Sequence, residues 1–188
     1  MKKLYALLIV SLFILGGCSD NKSENASQNS ADSTQPSTVE VLIPLYEPDV
    51  QYSVPYGFER TSTQSNQTAY LKDDASVIIN EDFLTQDTMS LKAYVEYSEE
   101  LYMKSTDKYE VISREDLSIN GFELKILEFV YELNGENGTL SKTCMVGFYS
   151  DTENNSDKIY VVTCKADTEN YSTYKDDFMK TIKSIRAK

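Results

Sequence analysis

Histidine and tryptophan are both absent from this 188-residue sequence. Without an imidazole group the chain cannot build a Ser-His-Asp or Cys-His catalytic set, or a zinc site with histidine ligands. No side chain then has an unperturbed pKa near neutrality, so general acid/base chemistry would have to use carboxylate, lysine or tyrosine groups. The commonest hydrolase mechanisms are therefore excluded.

Basic side chains are also scarce, with 18 Lys and Arg against 30 Asp and Glu, which gives a net charge of −12. Two of the lysines, Lys2 and Lys3, lie in the first seventeen residues, and these residues contain no acid. Removing them leaves 16 basic and 30 acidic side chains, a net charge of −14. Such a charge repels phosphate backbones and anionic headgroups and favours solubility, so nucleic acid is not an expected partner.

The N-terminus has the pattern of a bacterial lipoprotein signal. Lys2 and Lys3 precede an apolar run from Leu4 to Leu15, which ends in Leu15-Gly16-Gly17-Cys18. The run is shorter than the roughly 20 residues that span a bilayer, and two small residues before a cysteine are typical of a lipobox. We predict that residues 1–17 are a signal peptide, and that lipidated Cys18 anchors the chain to the extracytoplasmic face of the cell membrane.

The segment after Cys18 is rich in Ser, Asn, Gln, Asp and Thr and poor in aliphatic residues. This composition cannot bury a core, so we predict a lipid-anchored flexible tether over residues 18–49. Its last part, 39–46, is more apolar and is either a first strand or a segment that docks on the domain. The remaining residues, 50–188, have the length of one globular domain.

Alternating and helical hydrophobic patterns predict an α+β domain, an antiparallel β-sheet flanked by two amphipathic helices. Asn120-Gly121 between two alternating runs is a strong hairpin signal, because both residues tolerate the positive φ of a type I′ turn. The predicted elements, in chain order, are a hairpin with strands 68–71 and 75–79, a helix from Ser90 to Lys104, strands ending at Ile119 and spanning 122–132, 139–149 and 158–166, and a helix from Thr168.

The order of these elements resembles a known family. The segment Val54-Pro55-Tyr56-Gly57-Phe58, the turn Ile119-Asn120-Gly121 and the closing helix with its apolar face over 171–185 are similar to the α/β/α sandwich shared by PsbP, the DcrB-type bacterial lipoproteins and a nuclear-import Ran-binding factor. The resemblance implies a PsbP-like sandwich that acts as an accessory or binding module, and it brings no catalytic set with it.

Cys144 and Cys164 fall in the two strands predicted last. If these strands pair through a loop centred on Asn154, then Cys144 and Cys164 are direct cross-strand neighbours, at a separation close to the one a disulfide accepts. A disulfide persists outside the cytoplasm. The alternative is two buried, reduced thiols, since a register shift of one residue would place them on opposite faces of the sheet.

The loop between those strands carries oxygen-bearing side chains at alternate positions, Asp151, Glu153, Asn155 and Asp157, as calcium loops do. Ser156 stands where such a loop has glycine, and Val162 where it has glutamate. An acidic, solvated hairpin loop is the commoner interpretation, and calcium is the only cofactor that the sequence suggests.

Five acidic doublets are the other candidates for chemistry, but neighbouring residues of a strand or helix point in different directions, so we interpret the doublets as solvated charge. They are Asp73-Asp74, Glu81-Asp82, Glu99-Glu100, Glu115-Asp116 and Asp176-Asp177.

Together these features favour a noncatalytic, membrane-tethered interaction module of the cell envelope, whose partner is an envelope protein or ligand. The second hypothesis is a lipoprotein that binds a small ligand or a cation as a transport accessory. The third is an enzyme based on carboxylates, which would need an acid with a strongly perturbed pKa in a cleft.

The tether prediction is tested by deleting residues 19–38. Because this segment cannot contribute a core, we expect the midpoint of thermal unfolding to stay unchanged, as measured by circular dichroism. A decrease of more than several degrees would show that the segment packs on the domain.

Overall fold

A computed structural model describes residues 46–61, 66–84, 90–136, 138–151 and 157–188. None of the helices in these ranges is long and apolar enough to cross a membrane. The described elements are β1 (Val50–Gln51), β2 (Glu59–Thr61), β3 (Gln67–Lys72), β4 (Ala75–Phe83), α1 (Leu91–Ser105), β5 (Lys108–Ile119), β6 (Phe122–Gly135), β7 (Gly138–Asp151), β8 (Lys158–Asp167), α2 (Tyr171–Lys183) and β9 (Arg186–Ala187).

Seven of these strands form one antiparallel sheet in the order β2-β3-β4-β8-β7-β6-β5, while β1 and β9 pair separately. Strand β8 pairs with β4 on one side and with β7 on the other. It therefore joins the part of the sheet built from β2, β3 and β4 to the part built from β5, β6 and β7. The predicted α+β class, an antiparallel sheet with two helices, is confirmed.

The two helices pack on opposite faces of the sheet. On β7, the ring of Phe148 meets Tyr94 of α1, with centroids 6.2 Å apart. The hydroxyl of the next residue, Tyr149, donates a hydrogen bond of 2.6 Å to the carbonyl oxygen of Ile182 in α2. Successive side chains of a strand point to opposite faces. We call these the α1 face and the α2 face, and the domain is an α/β/α sandwich.

Helix α1 begins where the sequence predicts. The side chain of Ser90 accepts a hydrogen bond of 3.3 Å from the backbone N–H of Ala93, which caps the helix. Its buried residues recur every three or four positions, so one stripe faces the sheet. They are Leu91, Tyr94, Ser98 and Tyr102.

Helix α2 starts three residues later than predicted. The N–H of Asn170 donates 3.0 Å to the carbonyl of Asp167, which forms a turn over 168–170 that delays the first helical residue to Tyr171. The predicted apolar face is otherwise confirmed, since Phe178 and Ile182 are buried in the helix and Ile185 is buried just after its end.

The Asn120-Gly121 hairpin is confirmed. Asn120 has φ 52° and Gly121 has φ 84°, as a type I′ turn requires, and Ile119 pairs with Phe122 across it. The side-chain amide of Asn120 also donates 2.8 Å to the carbonyl of Ile185. This turn therefore also holds the segment that follows α2.

Residues 46–49 belong to the domain, so the predicted tether over 18–49 extends too far. The hydroxyl of Tyr46 donates to the carboxylate of Glu81, and its carbonyl accepts 2.6 Å from Thr68 Oγ1. Glu47 pairs with Arg60. Composition could not show these contacts, because their partners are brought to residues 46 and 47 only by the fold. The rest of the tether lies outside the described residues.

Gly147 on β7 leaves room for the contact between the sheet and α2. A Cβ atom added there would lie 2.7 Å from Tyr149 Oη and 3.0 Å from Ile182 Cγ2. Both neighbours are fully buried, and Tyr149 is held by its hydrogen bond to Ile182. Even one methyl group would therefore displace the helix or break that bond.

We expect Gly147→Ala to lower the free energy of unfolding by about 1–3 kcal/mol, the usual cost of overpacking, measured by urea denaturation. Gly135→Ala is the matched control on β6, because its added Cβ would meet only Gly138 O at 3.7 Å. Equal losses in the two variants would contradict the packing argument.

Candidate functional site

The structure contradicts the predicted disulfide. Cys144 pairs with Lys165, and Cys164 pairs with Met145, so the register differs by one residue from the one that would align the two cysteines. They therefore point to opposite faces of the sheet, Cys144 to the α1 face and Cys164 to the α2 face. Both are free and buried.

The register was wrong because β7 and β8 are buried on both faces, so no period of two marks which side chains share a face. The alternative of two buried thiols fits the structure. Burial raises the pKa of the Cys144 thiol to about 12, and burial likewise raises the pKa of Cys164. Such thiols are protonated and act as small apolar core groups.

Part of the predicted calcium loop lies outside the described residues. Asp151 ends β7 and Asp157 precedes β8, whereas Glu153 and Asn155 are not described. Within the described ranges no group of three or more His, Cys, Asp or Glu side chains is placed to hold a metal ion. Calcium binding stays the untested alternative to a solvated loop, and lipidation of Cys18, which also lies outside these ranges, stays a prediction.

In two of the acidic doublets the two members bind different partners, as expected. Glu81 pairs with Lys158 at 3.0 Å, while Asp82 accepts 2.7 Å from the hydroxyl of Tyr94. In the same way Glu115 faces Lys183 of α2, and Asp116 faces Lys125 on the neighbouring strand β6. Glu81 is thus largely shielded from solvent and bound between elements, whereas Glu115 and Asp116 stay exposed to solvent, as predicted.

Glu128 on β6 is a buried carboxylate that the sequence analysis missed, with 4 % of its surface exposed. Its Oε2 accepts 2.9 Å from Ser113 of β5. Its Oε1 accepts 2.9 Å from the hydroxyl of Tyr171 and lies 2.7 Å from Nζ of Lys175, both on α2. One carboxylate thus joins an edge strand, its neighbour and the helix.

The environment of Glu128 keeps it ionised. Burial raises the pKa of this carboxyl group, but hydrogen bonds from Lys175, Ser113 and Tyr171 outweigh that effect, so the pKa is lowered overall. A general acid at neutral pH needs the opposite shift. With both oxygens engaged, Glu128 fits a structural role under α2.

Among the described residues, Lys165 on β8 is the one basic side chain that is buried. It lies on the α1 face and is 6 % exposed. It lies in a cross-strand row between Ser76 of β4 and Cys144 of β7. Burial lowers the pKa of its ammonium group. Lys165 and Glu128 share one sequence signal, a lone charge inside an apolar run, as in Cys164-Lys165-Ala166 and Leu127-Glu128-Phe129.

The outer surface carries one aromatic side chain that stands apart from the rest. Tyr56 is 98 % exposed, about twice the exposure of the next large apolar residue, Ile112 at 51 %. It occupies the second position of a turn in which the N–H of Phe58 donates 3.3 Å to the carbonyl of Pro55, and Gly57 supplies the φ of 84° that a type II turn needs at its third position. In the sequence, the segment around Tyr56 stands out only as a motif of the fold.

The sequence matches no protein-family profile and no curated protein. Solved structures match the fold at low identity. A cyanobacterial PsbP (CyanoP) from Synechocystis sp. PCC 6803 is 13% identical with a TM-score of 0.56, covering 74% of this chain and 87% of that one. LpqN of Mycobacterium tuberculosis, described as involved in cell envelope biogenesis, is 10% identical with a TM-score of 0.55, covering 73% and 82%.

The Ran-binding protein Mog1p of Saccharomyces cerevisiae is also similar, at 15% identity and a TM-score of 0.50, covering 74% of this chain and 90% of that one. At these identities the likeness shows the fold alone. The PsbP-like fold that the sequence resemblance implied is therefore confirmed.

We expect Glu128→Gln to lower the free energy of unfolding by about 1–3 kcal/mol at neutral pH, because buried donors lose a charged acceptor. The pKa of Glu128 is lower in the folded chain than its ordinary value of 4.5. Its stabilising effect is thus fully present above that value and is lost as the pH falls through the folded pKa.

The loss caused by Glu128→Gln should therefore be largest near neutrality and fade as the pH falls below the ordinary value of 4.5, measured by urea unfolding across pH. Glu132→Gln is the matched control on the same strand, since Glu132 pairs with the exposed Lys108 at 2.8 Å and such a pair contributes about 0–1 kcal/mol. A loss from Glu128→Gln that is independent of pH would contradict the role of its charge.

Proposed function

We propose that this chain is a membrane-tethered, extracytoplasmic lipoprotein whose domain is a noncatalytic interaction or accessory module of the cell envelope. The tether part of the proposal rests on the lipobox before Cys18 and on the polar composition that follows it. The assignment of the domain as noncatalytic rests on the buried carboxylate of Glu128, which is held ionised.

Glu128 is the observation that carries the noncatalytic assignment. It is the buried acid of the described residues, and it is held ionised by Ser113, Tyr171 and Lys175 beneath helix α2. A carboxylate enzyme would need an acid with a raised pKa that meets substrate in a cleft. Glu128 instead has a lowered pKa and is almost fully buried, so we assign it a structural role and not a catalytic one.

The fold comparisons support an accessory role in the same direction. LpqN is described as involved in cell envelope biogenesis and Mog1p as a Ran-binding protein. The first description supports a place in the cell envelope, and the second supports a role in binding. The net charge of −14 for residues 18–188, from 16 basic and 30 acidic side chains, supports a partner that is neither nucleic acid nor an anionic lipid surface.

Changing Cys18 to Ala should release the protein from the membrane fraction, because the acyl chains are then missing and no other strong anchor is expected after cleavage. Fractionation of cells followed by immunoblotting measures this. Ser19→Ala is the matched control and should stay with the membrane. A Cys18→Ala protein that remains entirely in the membrane fraction with its signal removed would contradict the anchor.

The binding role is tested on the same cells by chemical cross-linking of the tethered protein, with Cys18→Ala as the comparison. We expect cross-links to an envelope protein that weaken when the chain is released, since tethering raises the local concentration. A large, specific increase in the thermal midpoint with a cation or small metabolite would instead favour the ligand-binding hypothesis.

A further inference from the structure

We propose, resting on the tethering proposed above, that residues 46–53 form a strap that tension on the tether detaches from the domain while the sandwich stays folded. We call residues 46–53 the strap. The described domain begins with the strap, so the strap is the first part of it to bear a force that the lipid anchor transmits. The inference follows from the order of its contacts along the chain, from their exposure and from the residue at which they end.

The first residues of the strap are bound by side chains of β2, β3 and β4. The hydroxyl of Tyr46 donates to Glu81, and its carbonyl accepts 2.6 Å from Thr68 Oγ1 and 2.7 Å from Nη2 of Arg60. The next residue, Glu47, forms an ion pair with the same arginine. Each of these partners belongs to the body of the domain, so each contact can break on its own.

The later residues of the strap are held by the end of the chain. Strand β1 pairs with β9 over only two residues, separately from the main sheet. The side chain of Gln51 accepts 2.9 Å from Nε of Arg186. The backbone N–H of Ser53 donates 2.8 Å to the hydroxyl oxygen of Ser184, which follows α2. These contacts come after those of residues 46 and 47, in chain order.

Most of the contacts of the strap are polar and open to solvent. The side chains of Glu47 and Asp49 are 58 % and 66 % exposed, and such ion pairs contribute little to stability. Nε of Arg60 is buried and finds no hydrogen-bond partner among the described residues, which offsets part of the gain from its ion pair. Val50 adds a buried apolar side chain, 2 % exposed. The strap is therefore held less firmly than the strands beneath it.

A force that enters at residue 46 loads these contacts one after another, because they follow each other along the chain. The central strands respond differently, since β6 and β7 pair along their whole length and lie under both helices. Separating them requires many bonds to break together. A weakly held terminal segment opens at a lower free energy than the whole domain, so the strap yields first.

Detachment ends at Phe58. Its ring meets Tyr174 edge-to-face with centroids 6.1 Å apart, and meets the fully buried Phe178 at 6.3 Å. Residues 54–57 lie between the strap and this aromatic anchor and are released together with the strap. The freed chain, residues 46–57, has a contour length of about 40 Å, at roughly 3.3–3.6 Å per residue.

The strap thus gives the tethered domain a second, longer reach without unfolding it. In the proposed function the domain is bound to an envelope partner while its lipid stays in the membrane. Movement of the partner away from the membrane would pull on the tether. Release of residues 46–57 then relieves the load before the sheet and helices that form the rest of the domain are disturbed.

The proposal is tested with optical tweezers on the mature chain, residues 18–188, made without lipid. One DNA handle is attached to the thiol of Cys18 and the other to Leu140→Cys, an exposed position on β7, while Cys144 and Cys164 are buried. We expect a first, reversible extension of about 40 Å in contour length at a lower force than the unfolding of the domain.

The double variant Gln51→Cys and Arg186→Cys is the matched test of the strap. The two residues are direct partners across β1 and β9, at a separation close to the one a disulfide accepts. With this disulfide formed, only residues 46–50 can detach, so the first extension should fall to less than half. Reduction should restore it.

Val50→Ala should lower the force of the first extension, because the strap loses buried apolar contact. The force of the second, global unfolding should stay unchanged, since Val50 has already left the domain when that event begins. The same two events are measured on the same handles, which makes the second an internal control.

Four results would overturn the proposal: no extension before global unfolding, a first extension much longer than residues 46–57 allow, a first extension that the disulfide does not shorten, or an equal decrease of both forces in Val50→Ala. The chain used here carries no lipid, so the result is independent of the membrane release of Cys18→Ala. Retention of Cys18→Ala in the membrane would remove the proposed tether, whereas loss of the first extension would remove the strap alone.

Discussion

The two-sided burial of the central strands β7 and β8 is the constraint on which this structure depends. Helices α1 and α2 pack on opposite faces of the same strands, so almost every side chain from Thr143 to Tyr149 and from Ile159 to Ala166 is buried. A polar group at such depth destabilises the fold unless it is bonded. Glu128 satisfies this condition with three donors from two other elements, so the same carboxylate that is costly to bury also fixes the position of α2.

Two-sided burial also sets the limit of what the sequence predicts. In the β5–β6 hairpin the Asn120-Gly121 turn fixed the register directly, and the prediction there was right. Between β7 and β8 the apolar run is nearly continuous, and hydrophobicity cannot distinguish the pairing of Cys144 with Cys164 from the observed pairing with Lys165. Because the observed register differs by one residue, Cys144 and Cys164 are free thiols on opposite faces, which is the alternative to the disulfide.

The charged side chains form contacts that hydrophobic patterning does not predict. Glu81, Glu99 and Glu115 each reach a basic residue on another element, Lys158, Arg114 and Lys183 respectively. In each pair at least one partner is partly exposed, and such pairs contribute little to stability. Their effect is on geometry, because each ion pair favours the observed position of a helix or strand end over other positions. Composition reveals the excess of acid, but not these partners, since the partners are separated by 15 to 77 positions in the chain.

The contrast between buried and exposed residues also explains why the exposure of Tyr56 could not be predicted from the sequence. Buried residues leave a periodic signal, whereas Tyr56 is exposed because of a local turn, in which Gly57 accepts positive φ and Phe58 is the residue that enters the apolar cluster beneath α2. Two aromatic residues flanking one glycine look alike in the sequence, and only the turn geometry shows that Phe58 packs inward while Tyr56 is exposed. The turn fixes the backbone of Tyr56 through the packing of Phe58, while the ring of Tyr56 stays almost fully exposed.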